Sequence, residues 1–184
     1  VLFAYGHFRG GRDHDDADIV VRRSRDGGVS WSDPEVLQRK RGELNVMSVS
    51  LERLHSGKLL FLFLEKNTLE DCRPFCRFSD DDGNAWGPVH TLTEVPGYYV
   101  VNNDRIIQTS SGRLLVPCAF RESQQRSRSP ICGVLYSDDE GQSWQRGADW
   151  IRIKKENAVP PPLQTDACRA KWDALLQSED GVLC

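Results

Sequence analysis

"SRDGGVSW" (residues 24–31) returns twice in the chain, as "SDDDGNAW" (79–86) and "SDDEGQSW" (137–144). Each copy reads as a tight hairpin turn. The Asp carboxylate can accept nearby backbone N–H groups, and Gly supplies the positive φ that such a turn needs. The Trp brings a large apolar face to cover the turn from the following strand. A calcium loop is the rival for "DDDG" and "DDEG". If Gly83 or Gly141 were the sixth residue of an EF-hand loop, its first ligand position would be Phe78 or Tyr136, and neither can bind Ca²⁺.

Working outward, "SGKLLFLFL" from Ser56 and "SGRLLVPCAF" from Ser111 precede the second and third copies, and the opening "VLFAYGHF" fits the same slot before the first. Ahead of these come "NVMSVSLERL" (45–54) and "NDRIIQTS" (103–110). Each unit of roughly 55 residues reads strand, Ser-Gly turn, strand, loop, strand, Asp/Gly hairpin, strand. Four short antiparallel strands per repeat describe one blade of a β-propeller.

The totals narrow the field. In 184 residues, 24 Lys and Arg face 27 Asp and Glu, a net charge of -3 that leaves no general footprint for nucleic acid. The longest apolar run, Leu59 to Leu64, is far short of the ~20 residues of a membrane helix and reads as a buried strand. No secretory signal is visible, and the chain opens inside an apolar segment without Met, so an upstream part is expected. The six cysteines, at 72, 76, 118, 132, 168 and 184, have irregular spacing and no second pair echoing Cys72 and Cys76, which disfavours a zinc site. Cys118 and Cys132 fall in strand-like runs and read as core residues.

In a four-strand meander, successive connections alternate between the two ends. The Ser24–Trp31 turn and the Ser-Gly turns therefore share one end. The Arg9–Asp16 loop falls at the other, with Asn45–Ser48, Glu65–Arg73, Tyr98–Asp104 and Arg121 onward. That mouth is where a propeller usually carries its site. Its Arg, Asn and Tyr suit a sugar: guanidinium forks for a carboxylate and aromatic faces for a ring. Asp13 stands among Asp15 and Asp16, like charges that favour a protonated carboxyl. The spacing of His14 among these aspartates fits no metal motif.

The three turns resemble the Asp-boxes of the sialidase (neuraminidase) superfamily, with Ala85 replacing the hydroxyl residue in the second. "LFAYGHFRGGRDHDDADIVVRRSRDGGVSW" is similar to the sialidase stretch that leads into the first Asp-box. "NVMSVSLERLHSGKLL", "DCRPFCRFSDDDG" and "PGYYVVNNDRIIQTSSGRLLVP" resemble the following blades of an exo-sialidase-like protein. The resemblance covers residues 1 to about 148. It implies hydrolysis of terminal sialic acid, or a related acidic sugar, on a six-bladed propeller with no metal or other cofactor. It implies Asp13 as acid/base and Arg9 as the arginine just before it. Asn45, Arg73, Tyr99, Asn103 and Arg105 are the other expected substrate contacts. Tyr98 or Tyr99 could offer a phenol, but neither stands in the family's nucleophile position, and no nucleophile pair can be assigned, so weak or no turnover is expected of this chain alone.

The expected fold is all-β: about three blades of a six-bladed sialidase-like propeller over 1–150, then a Pro-rich linker and short helix over 151–184. Pro160 to Pro162 break any strand. Thr165 or Asp166 could cap a helix with Cys168, Trp172, Leu175 and Leu176 on one face. The partner expected is a sialylated or other acidic glycan, with self-association through open blade faces. The alternative is a non-catalytic propeller segment that binds glycan or protein.

Overall fold

Every regular element among the described residues is a β-strand. The computed structural model describes residues 1–121 and 130–152, all within the unit Val1–Arg152. The strands form three antiparallel meanders. The first contains β1 (Leu2–Phe8), β2 (Ala17–Arg23) and β3 (Glu35–Gln38), in that order. The second contains β4 (Asn45–Arg53), β5 (Leu59–Lys66), β6 (Cys72–Ser79) and the short β7 (His90–Thr91). The third is built on β10 (Leu114–Arg121) and β11 (Ile131–Ser137). β8 (Tyr98–Val100) and β9 (Ile107–Gln108) pair with β10, and β12 (Gln145–Arg146) and β13 (Ile151–Arg152) pair with β11. One parallel pairing, Cys72 with Tyr98, joins the second meander to the third.

Of the strand expected over 103–110, Ile107–Gln108 alone is strand. Residues 101–106 leave β10 and lie against β4, whose register slips between Met47 and Ser50. Ser48 turns to φ 57 at that bulge. The backbone groups freed there find new partners. Val49 N–H donates to Asn103 Oδ1 at 2.9 Å, and Asp104 N–H donates to the Val49 carbonyl at 3.0 Å.

The repeated turns close as their chemistry dictates. Ser24 Oγ accepts the Gly28 N–H at 2.7 Å and donates to Asp26 Oδ1, which also accepts the Val29 and Ser30 N–H groups. Ser30 Oγ caps Asp26 Oδ2, and Trp31 Nε1 donates to the Gly28 carbonyl at 3.0 Å. Ser79–Trp86 and Ser137–Trp144 repeat this geometry, except that Ala85 has no hydroxyl to offer Asp81. Two consecutive residues take positive φ in every copy. The first of the two is Gly27 in one turn but Asp82 and Glu140 in the others.

The apolar run on β5 has a structural reason. Phe61 and Phe63 face Ile19, Val21, Leu37, Val46 and Val49 in one core. Leu60, Leu62 and Leu64 face Cys76, Tyr99, Leu114, Val116 and Leu135 in the other. Both sides of the strand are dry, so polar alternation is absent. Each such side chain contributes about 1.5–3 kcal/mol on burial. Cys72, Cys76 and Cys118 are buried free thiols, and burial pushes each up to about 12. They are unreactive packing groups, and no cluster of potential metal ligands occurs among the described residues. Cys168, Cys184, the proline run and the helix expected from Asp166 lie outside the described residues.

Candidate functional site

Strand register brings one row of residues to a common end. Asn45 pairs with Lys66, Lys66 with Cys72, Cys72 with Tyr98, and Tyr98 with Arg121. The Arg9–Asp16 loop joins β1 to β2 at this end, and the Ser24–Trp31 turn leaves β2 at the other. Seven residues of strand separate them, roughly 20 Å. The Asp-bearing loop and the Asp-box thus occupy opposite poles, as the alternation of connections requires.

The loop is tied to the row by two buried side chains. Asn45 is fully buried, and its Nδ2 donates to the carbonyls of Asp13 and Asp15, both at 3.0 Å. Its Oδ1 is buried without a partner. Lys66 is also fully buried, at the end of β5. Its Nζ donates to Asp13 Oδ2 at 2.6 Å and to the Asp13 carbonyl at 3.3 Å, and sits 5.7 Å from the Tyr98 ring centre. Burial works against the ammonium, but the hydrogen bonds to Asp13 and Tyr98 outweigh it and hold Lys66 above its ordinary value. Asp13 itself keeps more than half of its side chain exposed. A carboxylate at the surface is therefore anchored from beneath by a cation that water does not reach.

The neighbouring aspartates are engaged elsewhere. Asp15 Oδ2 accepts the Arg12 N–H at 2.8 Å. Asp16 accepts Lys40 Nζ at 2.6 Å, and that ammonium holds the Asp16 carboxyl below its ordinary value. The like-charge cluster expected around Asp13 is thus divided among separate partners, and the group facing Asp13 is an ammonium. His14 Nδ1 lies 3.7 Å from Asp13 Oδ2.

The other expected contacts fall into three groups. Arg9 and Arg73 reach the mouth, but each guanidinium already holds a carboxylate: Arg9 Nη2 donates to Asp18 Oδ2 at 2.6 Å, and Arg73 Nε lies 2.9 Å from Asp71 Oδ1. Asn103 and Arg105 sit partway along β4, at its bulge, where the Arg105 N–H donates to Ser50 Oγ at 3.2 Å. Tyr99 corrects the expectation most sharply. It is fully buried, its ring tilted against Phe120 at 4.6 Å between ring centres, with its hydroxyl donating to the Val95 carbonyl. Strand alternation turns Tyr98 to the mouth instead, where Arg121 lies 5.4 Å from its ring. The sequence reading places Lys66 at the mouth only as part of Glu65–Arg73 and gives it no role. The available signal is a lysine two residues after an unbroken apolar run, at the end of the strand away from its Ser-Gly turn.

Residues 3–170 match the pattern of the BNR repeat-like domain. A search among curated proteins finds no match. Among solved structures, a protein of unknown function from Dyadobacter fermentans is similar, with a TM-score of 0.67 and 18% identity over 84% of this chain and 52% of its own. The Hadza microbial sialidase Hz136 follows with a TM-score of 0.65 and 17% identity over 79% of this chain and 34% of its own. A Trypanosoma rangeli sialidase mutant displaying trans-sialidase activity has a TM-score of 0.65 and 16% identity over 82% of this chain and 28% of its own. The chain therefore spans about half the length of the first and about a third of the other two.

Proposed function

Because the chain belongs to the BNR repeat-like domain family, we propose that it is part of a sialidase-like glycoside hydrolase acting on terminal sialic acid or a related acidic sugar. In this reading the three meanders are blades of a six-bladed propeller, and residues 151–184 form a linker and tail. Asp13 is the acid/base, giving a proton to the glycosidic oxygen and taking one back from the attacking water. Arg9, Arg73 and Arg121 line the polar mouth around it, with Tyr98 as the aromatic surface.

One observation supports the reading most strongly. Asp13 is exposed toward solvent at the pole away from the Asp-boxes, on a loop anchored by buried Asn45 and Lys66. A general acid needs such an address: within reach of a sugar oxygen, yet fixed in position. The test is hydrolysis of a fluorogenic sialoside by the full chain beside Asp13→Asn. Turnover by this chain is expected to be weak, and to fall at least about 100-fold further in the variant. Turnover that survives the substitution removes Asp13 from this role. Sialyllactose binding without turnover would instead favour a glycan-binding segment.

A further inference from the structure

We propose that Lys66 is a positioning residue of this site: its buried ammonium fixes where the Arg9–Asp16 loop presents Asp13. The proposal rests on the reading of Asp13 given above, but its central readout is independent of turnover. A lysine is almost never fully buried unless its charge is matched, because desolvating an ammonium is costly. Lys66 is fully buried, and the oxygens that receive its protons within the Arg9–Asp16 loop both belong to Asp13. The two residues are 53 positions apart and lie on different meanders.

The other bonds of the loop close it on itself or tie it at its base. Arg9 N–H donates to the Asp16 carbonyl, Asp15 N–H to the Arg12 carbonyl, and Arg12 N–H to Asp15 Oδ2. Arg9 and Lys40 hold Asp16 and Asp18, where β2 begins. Asn45 fixes two carbonyls of the tip. Lys66 hydrogen-bonds the Asp13 carboxylate itself at 2.6 Å, whereas the adjacent His14 Nδ1 stays 3.7 Å from the same oxygen. Without Lys66, backbone ties still fold the loop, but the side chain bearing the chemistry loses its seat.

A purely structural lysine and a positioning lysine behave differently when replaced by an apolar residue of similar length. Exchange of a buried charge for an apolar side chain is often neutral or stabilising for the fold as a whole. Lys66→Met should therefore keep the thermal midpoint while freeing the loop. Limited trypsin digestion followed by mass spectrometry reads this directly. Cleavage after Arg12 reports the loop, and cleavage after Arg25, in the Asp-box at the opposite pole, serves as the internal control. The expected result is at least about a tenfold rise in cutting after Arg12 with little change after Arg25. Lys66→Gln, which keeps a donor without the charge, should give an intermediate rise. Unchanged cutting after Arg12 in both variants overturns the proposal, as does an equal rise at both sites, which would mark general loosening.

On the fluorogenic sialoside, Lys66→Met should lower kcat at least about tenfold with KM changed less than about threefold. If the chain hydrolyses no sialoside while the digestion behaves as expected, the functional reading fails and the positioning role stands. Unaltered kcat in Lys66→Met, in a chain that does turn over, removes the positioning role.

Discussion

Asp26, Asp81 and Asp139 bind groups no more than four residues away, whereas Asp13 binds a cation 53 residues distant. The first three sit at one pole and shape their own turns. The fourth sits at the other pole and is shaped by a different part of the chain. A carboxylate that serves the backbone can be supplied by a local motif and copied with each repeat. A carboxylate that faces solvent from a loop needs a tertiary anchor, and for Asp13 that anchor is the buried Lys66 ammonium.

The largest expected effect tests whether that anchor is energetically distinct. Asp13→Ala leaves the Lys66 ammonium buried without its carboxylate and should cost about 2 kcal/mol, the half-exposed partner softening the loss. Asp139→Ala should cost about 1 kcal/mol, because water can replace much of what the turn loses. Urea denaturation of the two variants measures both. Equal losses would erase the distinction between the poles.

The two poles should also fail at opposite ends of the pH scale. Hydrogen bonds from Ser30 and Ser24 hold the Asp26 carboxyl below its ordinary value of 3.8. Those from Ala85 N–H and Ser79 act likewise on Asp81, and those from Ser143 and Ser137 outweigh burial at Asp139. A depressed carboxyl binds protons less readily when folded than when unfolded. Its contribution is therefore complete above about pH 4 and is lost as the pH falls through the lower folded values. Lys66 is raised, so its contribution is present below its ordinary value of 10.5 and is lost as the pH rises through the folded one. Urea midpoints between pH 2 and 5 should fall less steeply in Asp26→Asn than in the wild type. Between pH 9 and 11.5 the wild type should lose stability that Lys66→Met does not.

The smallest effect sharpens the comparison within the repeats. Ala85→Ser restores the hydroxyl that Ser30 and Ser143 give their aspartates. A rise in Tm of about 1–2 °C is expected by scanning calorimetry. No change would mean that the backbone bonds to Asp81 already saturate its turn.

How much of this was legible in the sequence follows the same division. The Asp-boxes, the Ser-Gly turns at Gly57 and Gly112, and the long strands were readable because their chemistry is local. The opposition of the two poles was readable because it follows from counting connections. The bulge at Met47–Ser50 was not, since its freed groups are satisfied by Asn103 and Asp104 from another meander. Tyr98 and Tyr99 are adjacent in an unbroken apolar run, so nothing in "YYVV" sets which ring faces inward. Asn45 looked like a ligand contact because it is polar and near the mouth. Its full burial depends on the loop that folds over it.

The two-sided burial of β5 carries a cost during synthesis. Leu59 to Leu64 is a six-residue segment rich in bulky apolar side chains, without charge, proline or glycine, and such segments seed cross-β stacking when left bare. The face carrying Leu60, Leu62 and Leu64 stays bare until the strands after it have arrived, so a nascent chain halted shortly after Lys66 presents a sticky ribbon. The strand that ends on the anchoring lysine is thus also a point at which misassembly and aggregation compete with folding.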